Sequence, residues 1–98
     1  MTVFWFEEAQ FDLSEQALYY ELKQEGLGDR FIDQMEETLA RIVQDPIRRR
    51  LFDGSHRKEN FRNFPYALLY RIREDEIQIV AIMALERAPG YWKDRVRD

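Results

Sequence analysis

Arg57, Lys58, Arg62, Arg71, Arg73, Arg87, Lys93 and Arg95 crowd the second half of a 98-residue chain, with Tyr91 and Trp92 among them. Guanidinium and ammonium groups bind phosphate or carboxylate oxygens, and aromatic rings stack on bases or pack against apolar side chains. The set therefore suits either a phosphate backbone or an acidic peptide, and spacing alone leaves both open. Charge along the chain is uneven. From Glu7 to Asp45 there are eleven acidic and three basic residues, whereas Arg48 to Arg73 holds eight basic residues against Asp53 and Glu59. Such a block also has a simpler use, which is to neutralise the acidic half of its own chain.

Other chemistries find little material. There is no cysteine, which removes thiolate nucleophiles, disulfides and cysteine-rich zinc sites. The one histidine, His56, reads as an exposed loop residue, no calcium-loop pattern occurs, and neither a metal nor a cofactor is expected. Gly26, Gly28, Gly54 and Gly90 are scattered instead of forming a phosphate-binding loop. Ser55 and His56 are neighbours without the strand-turn-helix pattern of a nucleophile elbow. The balance leans away from an enzyme.

The elements that must hold these side chains follow from periodicity. "VFWF" reads as a short N-terminal strand with Phe4 and Phe6 on one face and Trp5 on the other. Asp12-Leu-Ser-Glu15 has the form of a capping box, predicting a helix from there to about Glu25 with Phe11, Leu18 and Leu22 as its inner stripe. Gly26 and Gly28 turn the chain into a second helix near Asp29. Its core stripe is Ile32, Met35, Leu39 and Ile42, widened by Phe31 and Val43, and Pro46 stops it. So tight a connection predicts an antiparallel helical hairpin.

Asp53-Gly54 marks a turn in the basic loop, and "ENFRNF" reads as an edge strand. "YALLYRIR" and "EIQIVAIMAL" read as a hairpin about Glu74-Asp75, with Tyr70 opposite Ile79 and Leu68 opposite Ala81. That register puts Tyr66, Leu68, Tyr70, Ile72, Ile77, Ile79, Ala81 and Met83 on the face toward the helices. It leaves Ala67, Leu69, Arg71, Arg73, Gln78, Val80, Ile82 and Ala84 as an open, half-apolar and half-basic face that invites a partner. The expected architecture is α+β, one domain over residues 1–98: a strand, an antiparallel helical hairpin and a small antiparallel β-sheet. The longest apolar run, Ile79 to Leu85, is far short of the roughly 20 residues that cross a bilayer. A soluble, cytoplasmic, unprocessed protein with no membrane partner is expected.

The ordered segments "LGDRFIDQMEETLARIVQDP", "GSHRKENFRNFPY", "ALLYRIREDEIQIVAIM" and "RAPGYWKDR" together resemble the RelE/ParE toxin superfamily of type II toxin–antitoxin modules. The likeness spans nearly the whole chain. It implies a small bacterial toxin of the plasmid-stabilisation kind that inhibits growth and is neutralised by a cognate antitoxin in a hetero-oligomer. RelE-like members cleave messenger RNA on the ribosome without metal, whereas ParE-like members inhibit DNA gyrase by binding. This chain departs from the nuclease pattern. Ala67 stands where RelE-like nucleases often carry an arginine, and Ala84, Glu86 and Arg87 stand at the positions of the common His-x-Arg-Arg ending. Glu86 would repel a phosphate where an arginine should attract it.

The resemblance thus implies a ParE-like toxin acting by protein contact, with gyrase as target, or one with attenuated activity. Its partner-binding residues would be Arg57, Lys58, Arg62, Arg71, Arg73, Arg87, Tyr91 and Trp92. Two alternatives remain at this point: a RelE-like ribosome-dependent nuclease using Arg62, Arg71, Arg87 and Tyr91 on ribosome-bound messenger RNA, and a non-toxic module that only binds an antitoxin.

Overall fold

The apolar runs at Tyr66–Arg73 and Glu76–Ala84 form two long paired strands, and the rest of the chain is arranged along their outer edges and on their two faces. The computed structural model describes residues 1–87 and 90–96; Ala88 and Pro89 of the expected Arg-Ala-Pro-Gly-Tyr-Trp ending lie outside the described residues. The elements are β1 (Thr2–Trp5), α1 (Glu7–Lys23), α2 (Leu27–Gln44), β2 (Arg57–Asn60), β3 (Tyr66–Arg73) and β4 (Glu76–Ala84), then a single 3-10 turn at Lys93–Arg95. The strands make one sheet in the order β1-β4-β3-β2. β2, β3 and β4 are antiparallel, but β1 runs parallel to β4, so the α+β sheet is mixed.

β3 and β4 turn at Glu74 and Asp75, both at positive φ (50° and 66°), the backbone of a two-residue hairpin turn whose twist matches the strands. Arg73 faces Glu76 and Tyr70 faces Ile79 as the alternation requires. Beyond that point the register shifts, because Leu69 pairs with Ala81 and leaves Val80 as an extra residue. Leu68 therefore opposes Ile82, not Ala81. The bulge exchanges the two faces of the last half of β4. Ile82 joins Tyr66, Leu68, Tyr70, Ile77 and Ile79 under the helices, while Ala81 and Met83 move to the opposite face with Ala67, Leu69 and Val80.

α2 follows its pattern. Phe31, Met35 and Ile42 are buried, Ile32 and Leu39 pack partly on the core, Val43 is exposed, and the helix ends before Pro46. Phe31 is its aromatic hub, with ring centroids 5.1–5.3 Å from Tyr20, Phe61, Phe64 and Tyr66. Gly26 adopts φ 86° at the connection. Gly28 lies where a Cβ would come within 2.6 Å of the Ala17 carbonyl oxygen, so its lack of a side chain lets the two helices meet. The Glu21 carboxylate accepts from the Gly26 and Gly28 amides, satisfying donors that a helix start leaves open.

α1 departs from expectation. It begins at Glu7, directly after β1, so Asp12 lies inside the helix and caps nothing. Its inward residues are Ala9, Leu13, Ala17 and Tyr20, whereas Phe11, Leu18 and Leu22 are 63%, 58% and 78% exposed. The helix carries apolar side chains on opposite faces, and the bulkier set points to water. The Asp12 carboxylate instead accepts the Ile82 amide at 3.0 Å and two hydrogen bonds from Arg95 at 2.7 and 3.1 Å; Arg95 also donates to the Val80 carbonyl. The β1 pairing stops at Ile79, so Asp12 and Arg95 satisfy the β4 backbone beyond the end of its neighbour.

The loop before β2 is tied down by a second carboxylate. Buried Glu59 accepts bidentate hydrogen bonds from Arg49 at 3.1 and 3.0 Å and two from Arg48 at 3.1 and 3.2 Å. Burial by itself raises the Glu59 carboxyl, but the arginine hydrogen bonds and charges outweigh it and hold the group below its ordinary value of 4.5. His56 is buried, not exposed; its amide and the Ser55 amide donate to Asp53, and its ring lies 6.4 Å from that of Trp92.

Two outcomes follow from these joints. Asparagine caps a helix as well as aspartate, so a capping Asp12 would tolerate Asp12→Asn, but a strut to Arg95 loses its charge-assisted pair. We expect urea unfolding to show a loss of about 1–3 kcal/mol; an unchanged midpoint would refute the strut. The Glu59 carboxylate stabilises the fold in full above pH 4.5 and loses that contribution as pH falls through its lower folded value. Glu59→Gln should therefore lower the melting temperature strongly at neutral pH and by progressively less as the pH falls below 4.5. A deficit that stays constant across this range would contradict the ion-paired state.

Candidate binding site

The face opposite the helices was expected to be open, and it is covered. Trp92 is 2% exposed and packs on Ala67, Leu69, Val80, Ala81 and Met83, with Tyr91, Val96 and Phe6 at its margin. Phe52 from the basic loop meets the Trp92 ring at 5.6 Å. The apolar middle of this face is thus the second core of the protein, sealed by the chain's own C-terminal segment. Trp92, named above among the partner-binding side chains, is placed by the structure in this core.

What this layer exposes is its rim. Arg57 on β2 and Arg71 and Arg73 on β3 line one cavity of about 290 Å3, together with Leu51, Gly54, Ser55, Ile72 and Val96. Each is fixed by its element. Arg57 donates to the Arg49 carbonyl at 2.7 Å, and buried Arg71 donates to Gln78 Oε1 at 2.7 Å while lying 5.7 Å from the Phe6 ring centre. Arg73 stands at the exposed hairpin end. Three arginines lining one concavity make it locally cationic, a setting that suits carboxylate or phosphate oxygens.

A second cationic group forms around Tyr91. Arg87 lies 4.1 Å and Arg95 5.5 Å from its ring centre, and Arg95 is held by Asp12. Burial raises the Tyr91 phenol above its ordinary value of 10.0, helped by Asp12 and opposed by Arg95 and Arg87. The phenol is therefore protonated at neutral pH.

The remaining cations are placed elsewhere. Arg62 follows β2 and donates to Glu37 of α2 at 3.1 Å, on the helical side, while Arg71 belongs to the opposite face. Lys58 is exposed on β2 with its ammonium 5.9 Å from the Phe52 ring centre. Arg62, Arg71, Arg87 and Tyr91, the set a nuclease would need, are therefore not brought to one point. Ala67 and Ala84 are likewise separated: Ala67 is sealed under the C-terminal segment, whereas the bulge turns Ala84, opposite Tyr66, toward the helical core. Glu86 is exposed. The cavity-lining roles of Leu51, Gly54 and Ser55 and the contact of Phe6 with Arg71 carry no periodic or motif signal. Among the described residues no group of three or more His, Asp or Glu side chains is arranged to hold a metal ion, and no helix is long and apolar enough to cross a membrane.

Comparison with known proteins agrees with this architecture. No curated protein matches the chain. Among solved structures, a chain of the chromosomal ParDE toxin–antitoxin system from P. aeruginosa superposes with a TM-score of 0.72 at 20% identity, covering 88% of this chain and 97% of that one. At that identity the likeness establishes the fold. The sequence profile described as "ParE toxin of type II toxin-antitoxin system, parDE" matches residues 3–89, which takes in both helices and all of the sheet except Thr2. The chain belongs to the ParE toxin family of type II toxin–antitoxin systems.

Proposed function

We propose that this protein is the toxin of a two-protein module, neutralised by an antitoxin, and that it inhibits its target, DNA gyrase, by binding instead of by cleaving RNA. The observation that carries the reading is the sealed sheet face: Trp92 fills the layer over Ala67, and among the described residues the cations around it are dispersed, without an assembled acid, base and phosphate clamp. A metal-free nuclease depends on charge stabilisation at one point, and Arg62 lies on the helical side of the sheet beside Glu37, across from Arg71. Binding needs no such convergence, and separate cations serve it well. The antitoxin fits the same rim, since an extended acidic segment would set a carboxylate into the cavity lined by Arg57, Arg71 and Arg73.

Membership of the ParE family and the fold shared with a ParDE toxin–antitoxin system support this partner class. The charge balance supports the protein-binding mode. With a net charge of −4 the chain lacks the long-range attraction to a ribosome that an RNA-cleaving partner of that particle would use.

Purified protein should inhibit gyrase supercoiling and leave ribosome-bound messenger RNA intact. Replacing Arg57 and Arg73 with alanine should weaken that inhibition by about tenfold, the scale of about 1–2 kcal/mol for lost charged contacts, in a chain that circular dichroism shows to be folded. Codon-linked cleavage of messenger RNA that Arg87→Ala abolishes, with supercoiling untouched, would sink the proposal.

A further inference from the structure

The sheet has two edges, β1 and β2, and the chain protects only one of them. β2 carries Arg57, Lys58 and Glu59, and the preceding loop is bound to it through Arg57 to the Arg49 carbonyl and Arg48 and Arg49 to Glu59. Charged side chains and a covering loop are the usual guards against edge-to-edge pairing. The β1 edge has neither guard. Residues 1–6, Met-Thr-Val-Phe-Trp-Phe, include no charged side chain, and Val3 and Phe4 are exposed, Phe4 by 50%.

Main-chain geometry identifies the groups at this edge. The Phe6 amide donates to the Ile79 carbonyl at 2.9 Å, and Phe4 pairs with Gln78 in parallel register. Alternate residues of a strand face alternate sides, so Phe4 and Phe6 turn their amides toward β4 while Val3 and Trp5 present both N–H and C=O outward. No described residue hydrogen-bonds to the Val3 or Trp5 backbone.

We propose that β1 pairs antiparallel with β1 of a second copy of this chain, around a two-fold axis at Phe4. In that register Val3 of each copy meets Trp5 of the other, and every outward backbone group of the two residues finds a partner. Phe4 meets its own counterpart at a close, non-hydrogen-bonded position, and Phe6, edge-on to Phe4 at 6.1 Å, extends the aromatic contact. Charge selects this occupant. Two copies of residues 1–6 meet without a like-charge pair, whereas the other exposed apolar feature, the Phe11, Leu18 and Leu22 stripe of α1, is flanked by Glu7, Glu8, Glu15 and Glu21 and would repel its copy. One strand gives less contact than the roughly 800 Å2 per partner of a stable interface, so the dimer is weak and depends on concentration.

Sedimentation velocity of the full chain from about 10 µM to about 500 µM tests this directly. The wild type should move from monomer toward dimer, and two variants should weaken dimerisation by at least about tenfold. Val3→Pro removes an outward N–H that the β4 ladder does not use, a position where an edge strand tolerates proline. Phe4→Lys places like charges at the axis on an exposed side chain, and gives an independent reading should Val3→Pro impair folding. Leu18→Glu should leave the dimer intact. A wild type that stays monomeric throughout overturns the proposal, and so does a dimer that survives Val3→Pro and Phe4→Lys in chains shown by circular dichroism to be folded.

Discussion

The Asp12 carboxylate is the joint on which the arrangement depends. It sits on α1, accepts the amide of Ile82 in β4 and grips Arg95 from the C-terminal segment, so three parts of the chain distant in sequence meet at one side chain. The need for it arises from β1, whose pairing with β4 ends at Ile79 and leaves the Val80 carbonyl and the Ile82 amide beyond its reach. Asp12 and Arg95 supply the acceptor and the donor that a longer strand would have supplied, which is the general requirement on backbone groups at a partly covered edge. Burial disfavours the charged Arg95 guanidinium, but the bond and charge of Asp12 outweigh this and raise its affinity for the proton.

The β4 bulge follows from the same region and determines where function can reside. With Val80 inserted, β4 sends Ile82 to the helical core and Ala81 and Met83 to the other side, so both faces of the central hairpin become apolar and require cover. The helices supply one cover and the segment around Trp92 the other. Arg71 and Arg73 on β3 lie on the hairpin-end side of the bulge and keep the face that alternation gives them, at the margin of a closed layer.

How far the sequence discloses this depends on whether each residue's role is local. The hairpin and α2 are legible because strict periods of two and 3.6 coincide with burial, and Asp53-Gly54 discloses its turn because the aspartate bonds its own following amides. α1 is not legible by the same means. Phe11, Leu18 and Leu22 form the bulkier stripe, yet Gly28 admits α2 so closely that the inner face favours Ala9 and Ala17. A single extra residue in a strand leaves no compositional trace, so the bulge, and with it the faces of Ile82 and Ala84, escapes any alternation count. Asp12 resembles a cap because the pattern Asp-x-x-Glu is local, whereas its partners Ile82 and Arg95 lie 70 and 83 residues away.

The candidate site is legible in its residue types and not in its geometry, and the reason is electrostatic. The basic block from Arg48 to Arg73 looks like a footprint for an anionic polymer, but Arg48 and Arg49 are occupied by Glu59, Arg62 by Glu37, and Arg95 beyond the block by Asp12. Each of those carboxylates repels an incoming phosphate as much as it holds its own arginine. A polyanion is read by cations acting together at uniform spacing, and affinity falls with every cation withdrawn. A folded protein partner places single carboxylates at discrete points and tolerates neutralised neighbours between them. The ion pairs at Arg48, Arg49, Arg62 and Arg95 therefore weigh against the continuous grip of a nucleic-acid backbone and are compatible with discrete protein contacts.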